Sequence, residues 1–406
     1  MIEPRILKGF RDFPPREAIA RQYARDIIRR TFESYGFDPI ETPAIEYLET
    51  FQGNIGEDEK LFFRFEDHGG RKVALRYDQT VPTCRFVAQY QGQLTMPFKR
   101  YQMQTVWRAD KPQRGRYREF LQCDIDILGV ESAMADAETI ALTIQSYLDL
   151  GFKNFKVKIS DRALYKGIEY PVIVAIDKLE KIGKDGVIAE IVSKGYSQQY
   201  AKETVERVFS LEPDETITAI FDYLRSAGFH ADNYEFDNTL ARSFSYSTGP
   251  IWEVRIDGFT AGAVGGGERY DQLVSRFSKT DVPGTGIAFG FDRTVEAMLQ
   301  FGLLPEKRTV AEVLVTIFAP EMLPDSLALA TKLRAAGINV DTYTEHTARM
   351  KKQIGYADKK GIPVAAILGP DEKTQGAVVL KDLRTGTQLT CDQSEAAGQI
   401  RLLING

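Results

Sequence analysis

The chain has 406 residues, a formal net charge of −5, and a composition that is 43% hydrophobic and 27% charged. A chain of this length is too long for one ordinary hydrophobic core, which predicts two or three domains. The composition excludes an intrinsically disordered chain. The longest apolar runs, at 171–176 and 363–368, are far shorter than the ~20 residues of a membrane span, so no membrane partner is expected. Three separated cysteines and an N-terminus without an apolar signal core predict a cytoplasmic protein with reduced thiols, with Cys123 packed in a strand.

The N-terminal part of the chain predicts one long helix followed by strands. Apolar residues recur at helical spacing over 16–35. An extended segment follows at 37–45, where Pro43 indicates an edge or bulged strand. Alternating residues on both sides of a glycine turn predict a hairpin over 58–76. The next expected elements are a helix at 81–90, strands at 98–107 and 118–128, and a helix at 133–150.

The middle of the chain changes character. Residues 178–227 combine helical periodicity with many charges and few strand signals, which predicts a small helical insertion at about 165–232. The expected elements that follow are strands at 241–256 and 261–265, a helix at 269–277, a strand at 285–289 and a helix from Asp292.

The segment 302–310 has the composition of a linker, and strands alternate with helices after it. This alternation predicts a compact α/β domain with a largely parallel sheet at 311–406, separate from a first domain at 1–310. The expected strands are at 313–318, 339–343, 364–368, 377–383 and 387–391, with helices at 324–336, 349–360 and the C-terminal end.

A basic loop joins the two strands at 98–107 and 118–128. It carries Arg108, Lys111, Arg114, Arg116 and Arg118. Arginines fixed on rigid strands suit a polyphosphate, because the planar guanidinium clamps phosphate oxygens bidentately. The alternative is a solvated basic turn, which the paired strands and the nearby Phe120 make less favoured. The net charge neither indicates nor excludes nucleic-acid binding, which depends on local basic patches.

Three segments, in order, resemble the three motifs of class II aminoacyl-tRNA synthetases. They are YGFDPIETPAIE at 35–46, the hairpin around Arg108, and GTGIAFGFDRTVEAM at 284–298. Further segments resemble signatures of the histidyl-tRNA synthetase family: LRYDQTVP at 75–82, LARSFSYSTGPIWEV at 240–254, and GGGERYDQL at 265–273. The tail, including KKQIGYADKKGIPVAAILG at 351–369, resembles the anticodon-binding domain of that family. The likeness covers nearly the whole chain and is weakest in the helical insertion.

The resemblance implies a fold and an activity. The fold is an α+β catalytic domain with a mostly antiparallel sheet, a small helical insertion and a C-terminal α/β anticodon-binding domain. The activity is ATP-dependent ligation of L-histidine to its tRNA through a histidyl-adenylate, with Mg2+ bridging the outer phosphates of ATP. The family also implies a homodimer.

Two alternatives remain: a histidine-binding paralogue that charges no tRNA, such as a regulatory subunit of ATP phosphoribosyltransferase, and a ligase-like enzyme for another substrate. The paralogue typically lacks the anticodon-binding domain and the phosphate-binding arginines, both of which this chain keeps.

The same resemblance implies the residues that bind ATP and catalyse the reaction. Arg108 and Arg242 would flank the α-phosphate as catalytic residues, where prearranged cations stabilise the growing charge. Asp110 would bind the adenine amino group, and Phe120 and Arg293 would stack on the adenine ring.

The remaining implied roles concern histidine and tRNA. The α-amino group would meet Asp78, Thr80 and Gln122, and Asp126 would bond the imidazole ring, which discriminates against amino acids without that donor. The full set expected to bind histidine is Asp78, Gln79, Thr80, Arg108, Gln122, Asp126, Arg242, Tyr246, Ser247 and Tyr270. The tRNA acceptor end would meet Gln113, Arg114 and Arg116. The C-terminal domain would read anticodon bases, with basic residues that also suit a solvated helix face: Arg349, Lys351, Lys352, Lys359 and Lys360.

The chain departs from the two histidyl signatures. The first signature commonly reads R-G-x-x-Y-Y, and here Ser243 replaces the glycine and Ser247 replaces the second tyrosine, which normally contacts the imidazole side of the pocket. In the second signature Glu268 stands where glycine is usual. Without the tyrosine, either Asp126 and Tyr270 hold the ring with a water filling the gap, or the specificity or activity is altered.

Overall fold

The computed structural model describes residues 1–53, 60–113, 115–242, 246–345 and 347–405. The chain divides into two compact units. The first comprises Met1–Asp12 and Ala24–Leu304, and the second comprises Phe13–Tyr23 and Pro305–Gly406. The division after Leu304 falls inside the segment 302–310, whose composition predicted a linker.

The first unit is built on an eight-stranded sheet. In spatial order its strands are β1 (Asp38–Pro39), β5 (Phe98–Trp107), β6 (Glu119–Leu128), β11 (Gly284–Gly290), β10 (Gly265–Arg269), β9 (Pro250–Ile256), β7 (Phe155–Asp161) and β8 (Tyr234–Phe236). The five neighbouring pairs from β5 to β7 are antiparallel, and only the two edge strands pair in parallel. The mostly antiparallel sheet predicted for this part of the chain is confirmed.

The two faces of this sheet differ because residues alternate along its strands. In β6, Cys123, Ile125 and Ile127 lie in the main hydrophobic core, while Gln122, Asp124 and Asp126 point to the other face. The core is covered by α1 (Pro15–Ser34) from Ala24 onward, by α4 (Ala133–Asp149) and by α9 (Phe291–Gln300). Cys123 is fully buried in this core, as predicted.

A small three-stranded sheet stands beside the main one. It contains β2 (Ile45–Tyr47), β4 (Lys72–Leu75) and β3 (Arg64–Glu66) in spatial order. Along the chain, α2 (Leu48–Phe51) follows β2 and α3 (Thr80–Tyr90) follows β4. The predicted strand at 37–45 is therefore divided, since β1 joins the large sheet and β2 joins the small one. Pro43 lies between them, where the missing N–H interrupts strand pairing. The predicted hairpin is confirmed in β3 and β4, although residues 58 and 59 lie outside the described residues.

The helical character predicted for the middle of the chain is confirmed by α5 (Tyr170–Ile176), α6 (Leu179–Ser193), α7 (Gln198–Phe209) and α8 (Glu215–Ser226). These helices form two packing groups. The first three share a separate core that includes Val172, Val187 and Val205, whereas α8 buries Ile217 and Leu224 in the main core. Throughout the described ranges, every helix is too short or too polar to cross a lipid bilayer.

The predicted helix at 269–277 is wrong. Arg269 ends strand β10, and only a short 3-10 turn, Val274–Arg276, follows. Arg269 is extended because its buried guanidinium pairs with Asp136 at 2.6 Å, and because its strand pairs with β11. The strand predicted at 261–265 begins only at Gly265. The strand predicted at 241–256 begins only at Pro250, and residues 243–245 lie outside the described residues.

The second unit contains a five-stranded sheet. Its spatial order is β13 (Val340–Thr342), β12 (Val313–Val315), β14 (Val364–Ile367), β15 (Ala377–Asp382) and β16 (Gln388–Asp392). Its helices are α10 (Leu323–Ala335), α11 (Met350–Lys360), α12 (Pro370–Gln375) and α13 (Ala396–Asn405). The prediction of a largely parallel sheet is wrong, because two of its pairs are parallel and two are antiparallel. The short turn between β15 and β16 permits only antiparallel pairing.

Candidate active site

A cavity of about 290 Å³ lies over the polar face of the large sheet. Gly266, Gly286 and Ala288 belong to the strands beneath it and line it. A Cβ atom at Gly286 would overlap the carboxylate of Asp126, and one at Gly266 would overlap the guanidinium of Arg242. Because these glycines have no side chains, long side chains from the surrounding elements can lie across the floor of the cavity.

Strand register aligns the charged side chains beside this floor. Glu268 of β10 is opposite Gly286 of β11, which is opposite Asp126 of β6, which in turn is opposite Arg100 of β5. Residues in one such row point to the same face of a sheet. Asp126 and Glu268 thus flank a glycine on the cavity side.

One end of the cavity, which we call the arginine end, is lined by two arginines and an aromatic ring: Arg108, Arg293 and Phe120. Nε of Arg108 donates to the backbone oxygen of Tyr77 at 3.1 Å. Arg293 donates from Nε to the backbone oxygen of Gly115 and from Nη1 to that of Ala263, each at 2.9 Å. These guanidinium groups are held in place before a ligand binds, as electrostatic stabilisation of an anion requires.

The other end, which we call the carboxylate end, is lined by Asp126, Glu268 and Tyr270, and Ser247 is buried behind it against Glu268. The Tyr270 hydroxyl donates to Asp126, and the Ser247 hydroxyl donates to Glu268. Arg100, fully buried, forms an ion pair with Asp126. Burial raises the pKa of Asp126 to about 6, although Arg100 opposes that shift. Along β6, Asp126 is roughly 20 Å from Phe120, at ~3.4 Å per residue, so the two ends are well separated.

Arg242 lies between the two ends. Its Nη2 atom is 3.5 Å from Oε1 of Glu268, and its Nη1 atom is 3.8 Å from Oε1 of Glu253. Burial lowers the pKa of Arg242, but Glu268 and Glu253 more than offset this and raise it above its ordinary value. Its backbone has φ 39°, a left-handed conformation that is costly for a residue with a side chain. Such strain is typical of functional positions.

A group of buried acids adjoins the cavity. Burial raises the pKa of Asp78 to about 6, with the Arg108 guanidinium opposing the shift. Burial also raises the pKa of Asp124 to about 8. Gln122 connects this group to the arginine end, because its amide donates to Asp124 at 3.2 Å and its oxygen accepts from Arg108 at 3.4 Å. In the described part of the chain, His, Cys, Asp and Glu side chains form no group of three or more arranged to hold a metal ion.

Most of the residues expected at the site line this one cavity: Asp78, Thr80, Arg108, Asp110, Arg116, Phe120, Gln122, Asp126, Arg242, Tyr246, Tyr270 and Arg293. The others lie elsewhere. Gln79 is fully buried and donates to the backbone oxygens of Gln104 and Gln122. Ser247 is buried against Glu268, and Gln113 lines a separate depression. Arg114, like Ser243, lies outside the described residues.

The structure adds residues that the sequence patterns did not place at the site. Glu253 and Glu268 line the cavity, and Arg100 pairs with Asp126 from the neighbouring strand. Glu268 was visible in the sequence as a departure, but it had no assigned role. Arg100 had a signal in the alternation of β5, because it shares a row of alternate residues with Gln102 and Gln104.

The N-terminal segment also supports the hairpin, and sequence reasoning missed it. The backbone N–H of Arg118 donates to the oxygen of Gly9 at 2.9 Å. The Arg11 guanidinium pairs with Asp292 and lies 3.2 Å from the centre of the Tyr117 ring. These contacts connect the first residues of the chain to the basic hairpin loop and to the start of α9.

A mostly antiparallel sheet that presents arginines from a hairpin and from the start of a following helix defines the class II aminoacyl-tRNA synthetases. A model of the histidyl-tRNA synthetase family matches residues 9–182, and a model of an anticodon-binding domain matches residues 312–402. The histidine–tRNA ligases of Cytophaga hutchinsonii and Wolinella succinogenes are 38% and 39% identical to this chain. Those alignments cover 96% and 99% of this chain and 97% and 99% of the relatives.

Solved structures agree with this assignment. The crystal structure of histidyl-tRNA synthetase from a Nostoc species is 30% identical, covers 99% of each chain and superposes with a TM-score of 0.85. The chain belongs to the histidyl-tRNA synthetase family.

Proposed function

We propose that this protein ligates L-histidine to its tRNA and that ATP first activates histidine as histidyl-adenylate. The observation that carries the proposal is a single cavity with fixed arginines at one end and oriented carboxylates at the other. The arginines suit a polyphosphate, and the carboxylates suit a ring with N–H donors. Membership of the family supports the same activity.

The arginine end would bind ATP. The adenine ring stacks between Phe120 and Arg293, and Asp110 accepts from its amino group. The α-phosphate lies between Arg108 and Arg242. The histidine carboxylate attacks the α-phosphorus and pyrophosphate leaves, while both guanidinium groups stabilise the negative charge that grows on the phosphate oxygens. The protein forms no covalent bond to the substrate, so alignment of the two substrates is its main contribution.

Mg2+ would enter as part of the substrate, bound to the outer phosphates of ATP. Two carboxylates at the site support this proposal, because they already have partners within the protein. Asp126 pairs with Arg100, and Asp78 accepts from the backbone N–H of Val81 at 3.2 Å.

The carboxylate end would bind histidine. Asp78, Thr80 and Gln122 surround the α-amino group, and Asp126 accepts from the imidazole ring. Tyr270 orients that carboxylate, and Tyr246 lines the same space. We assign Gln79 a supporting role, since it fixes the backbone of Gln122 from below.

For tRNA, we propose that the hairpin tip at Gln113, Arg114 and Arg116 meets the acceptor end. The second domain, 311–406, would read the unpaired anticodon bases, which is the usual mode of sequence-specific RNA recognition. The first domain would span 1–310, with its helical insertion at about 165–232. Protein synthesis in the cytoplasm is the proposed setting.

We also propose a homodimer. Ile45, Tyr47 and Phe65 of the small sheet are 47%, 52% and 45% exposed, and β2 belongs to the segment that resembles motif 1. A cluster of exposed apolar side chains on a sheet is typical of an association surface. Light scattering at several protein concentrations would measure the oligomeric state, and a monomer throughout would contradict this proposal.

The test of the function is histidine-dependent ATP–pyrophosphate exchange, followed by charging of total tRNA. We expect exchange with histidine alone and charging of histidine tRNA alone. Absence of exchange with every amino acid would contradict an enzymatic role. Exchange without charging would instead support a paralogue that activates histidine for another acceptor.

A further inference from the structure

Two of the three departures from the histidyl signatures meet in one contact. Ser247 and Glu268 are 21 positions apart, yet the Ser247 hydroxyl donates to the Glu268 carboxylate, and both residues are less than a tenth exposed. Glu268 also lines the cavity. A larger side chain at position 247 would occupy the space of this carboxylate, so the serine and the glutamate form one structural unit.

We propose that Glu268 is a second ring-binding carboxylate, and that the histidine side chain is bound between Asp126 and Glu268 as an imidazolium. This inference rests on the proposed function and names the form of the substrate that the same cavity selects. Each ring nitrogen would donate one hydrogen bond, one to each carboxylate.

The register of the sheet supports this arrangement. Asp126 and Glu268 lie in one row on the cavity face with Gly286 between them, so their Cα atoms are roughly 10 Å apart, two strand spacings of ~4.8 Å. An imidazole ring with a hydrogen bond at each nitrogen spans roughly 8 Å between its two acceptor oxygens. The Asp126 carboxylate lies above Gly286, in the space that a Cβ would take, so it reaches from β6 across the middle strand toward β10.

The hydrogen bonds of both carboxylates point to the same conclusion. The Tyr270 hydroxyl occupies one side of Asp126 and the Ser247 hydroxyl occupies one side of Glu268. Each hydroxyl donates its proton to the carboxylate, so each carboxylate remains an acceptor toward the cavity. Two acceptors that face one ring favour the form with two N–H donors, which is the cation.

The charge balance is consistent with a bound cation. Arg100 compensates Asp126 from the neighbouring strand β5, whereas Glu268 is compensated by Arg242 at 3.5 Å. When Arg242 turns to the α-phosphate, Glu268 loses that partner and an imidazolium would replace it. The other charged or titratable groups that act on Glu268 or share its surroundings are Asp78, Asp126, Arg162, Arg242, Tyr246 and Glu253.

A different role for Glu268 would be to hold Arg242 alone. In that case its removal would weaken the activation of every amino acid to the same extent. A ring-binding role predicts instead a change in the preference between ring types, which is the quantity to measure.

The experiment compares L-histidine with 1,2,4-triazol-3-yl-alanine, whose ring has nearly the same shape but stays neutral at neutral pH. The ratio of the two kcat/KM values in ATP–pyrophosphate exchange is measured for the wild type and for Glu268→Gln. We expect the wild type to prefer histidine strongly. The amide introduced by the substitution can donate to an unprotonated ring nitrogen, so the variant should lower this preference about tenfold, the effect of one mismatched hydrogen bond.

The matched control is Glu253→Gln, which alters the other carboxylate partner of Arg242 outside the row of Asp126. We expect its ratio to stay within about twofold of the wild type, even where its overall rate is lower. Equal losses for both substrates in Glu268→Gln would overturn the inference and leave Glu268 with a purely supporting role.

A second measurement needs no variant. In the complex of the wild type with ring-15N-labelled histidine and a non-reactive ATP analogue, both ring nitrogens should resonate as protonated nitrogens. One protonated and one unprotonated nitrogen would overturn the inference. If the wild type catalyses no histidine-dependent exchange, the proposed function falls and this inference falls with it. Normal exchange with a neutral bound ring contradicts the inference alone.

Discussion

The two ends of the cavity are held in place by different kinds of partner. At the arginine end, Arg108 and Arg293 donate to backbone carbonyl oxygens. At the carboxylate end, Asp126 and Glu268 are held by other side chains. A backbone partner is present whatever residue occupies that position, whereas a side-chain partner can be lost or gained by one substitution.

This difference explains where the chain departs from its family signatures. Substitution at position 247 changes the partner of the residue at position 268, so the two positions must change together. The arginine end depends less on such coupling, since Arg108 and Arg293 donate mainly to backbone oxygens, and the side chain of Gln122 accepts one longer hydrogen bond from Arg108. We therefore expect substitutions at the arginine end to act singly and those at the carboxylate end to act in pairs.

The largest effect is expected from Arg242→Ala. Removal of the cation that would face the α-phosphate should lower histidine-dependent exchange by about a thousandfold or more, the range found for arginines that stabilise phosphoryl transfer. The oligomeric state should be unchanged. The control is Arg225→Ala, which removes a guanidinium paired with Asp222 on α8 and should retain exchange. Near-normal exchange in Arg242→Ala would refute its assigned role.

A large effect confined to histidine is expected from Gly286→Ala. The new methyl group would displace the carboxylate of Asp126, and it would also overlap the backbone oxygen of Ile125, so circular dichroism must show that the variant is folded. We expect KM for histidine to rise about a hundredfold, the cost of losing a buried hydrogen bond to a charged group, with a smaller change in KM for ATP. Gly92→Ala is the control, because a Cβ there meets nothing within 4 Å. Equal changes in both KM values would show that the two ends are not separate.

A moderate effect confined to ATP is expected from Phe120→Ala. Loss of a ring that stacks on adenine costs about 1–3 kcal/mol, so KM for ATP should rise about tenfold or somewhat more. KM for histidine should remain close to the wild-type value, since Phe120 is roughly 20 Å from Asp126 along β6. A change in histidine binding of similar size would contradict the separation.

The smallest effect is expected from Asp124→Asn and appears only in the pH dependence of stability. Burial raises the pKa of Asp124 from 3.8 to about 8, so the folded protein keeps a proton that the unfolded chain releases. The free energy of unfolding should therefore fall as pH rises from about 4 to about 8. The amide of the variant cannot ionise, so its urea midpoints should decline less over this range. Parallel declines would contradict the raised pKa.

The residues of the arginine end lie on or beside elements that the sequence predicted. Arg108 and Phe120 belong to an apolar hairpin whose alternation is visible in the sequence, and Arg293 begins a helix that follows a strand. The expected strand at 98–107 coincides with β5. The contacts that hold Arg108 and Arg293 are nevertheless with distant backbone oxygens, at Tyr77, Gly115 and Ala263, which local patterns do not report.

The resemblance named Asp126 and Tyr270 at the carboxylate end, but the contacts that hold this end were not predicted. The contact of Ser247 with Glu268 and the pairing of Arg100 with Asp126 depend on strand register, which sequence periodicity does not fix. The helix expected at 269–277 failed for the same reason, because Arg269 is extended by an ion pair with the distant Asp136. The mixture of parallel and antiparallel pairs in the second unit likewise depends on which strands become neighbours in the sheet.

Calorimetric titration of L-histidine and of ATP into Asp126→Asn tests the central claim that one cavity has separate histidine-binding and ATP-binding ends. The substitution keeps the size of the side chain but removes the charge that pairs with Arg100. We predict that ATP binds the variant with nearly wild-type affinity while histidine binding weakens by about a hundredfold or more. Histidine binding of wild-type strength, or equal losses for both ligands, would contradict the account.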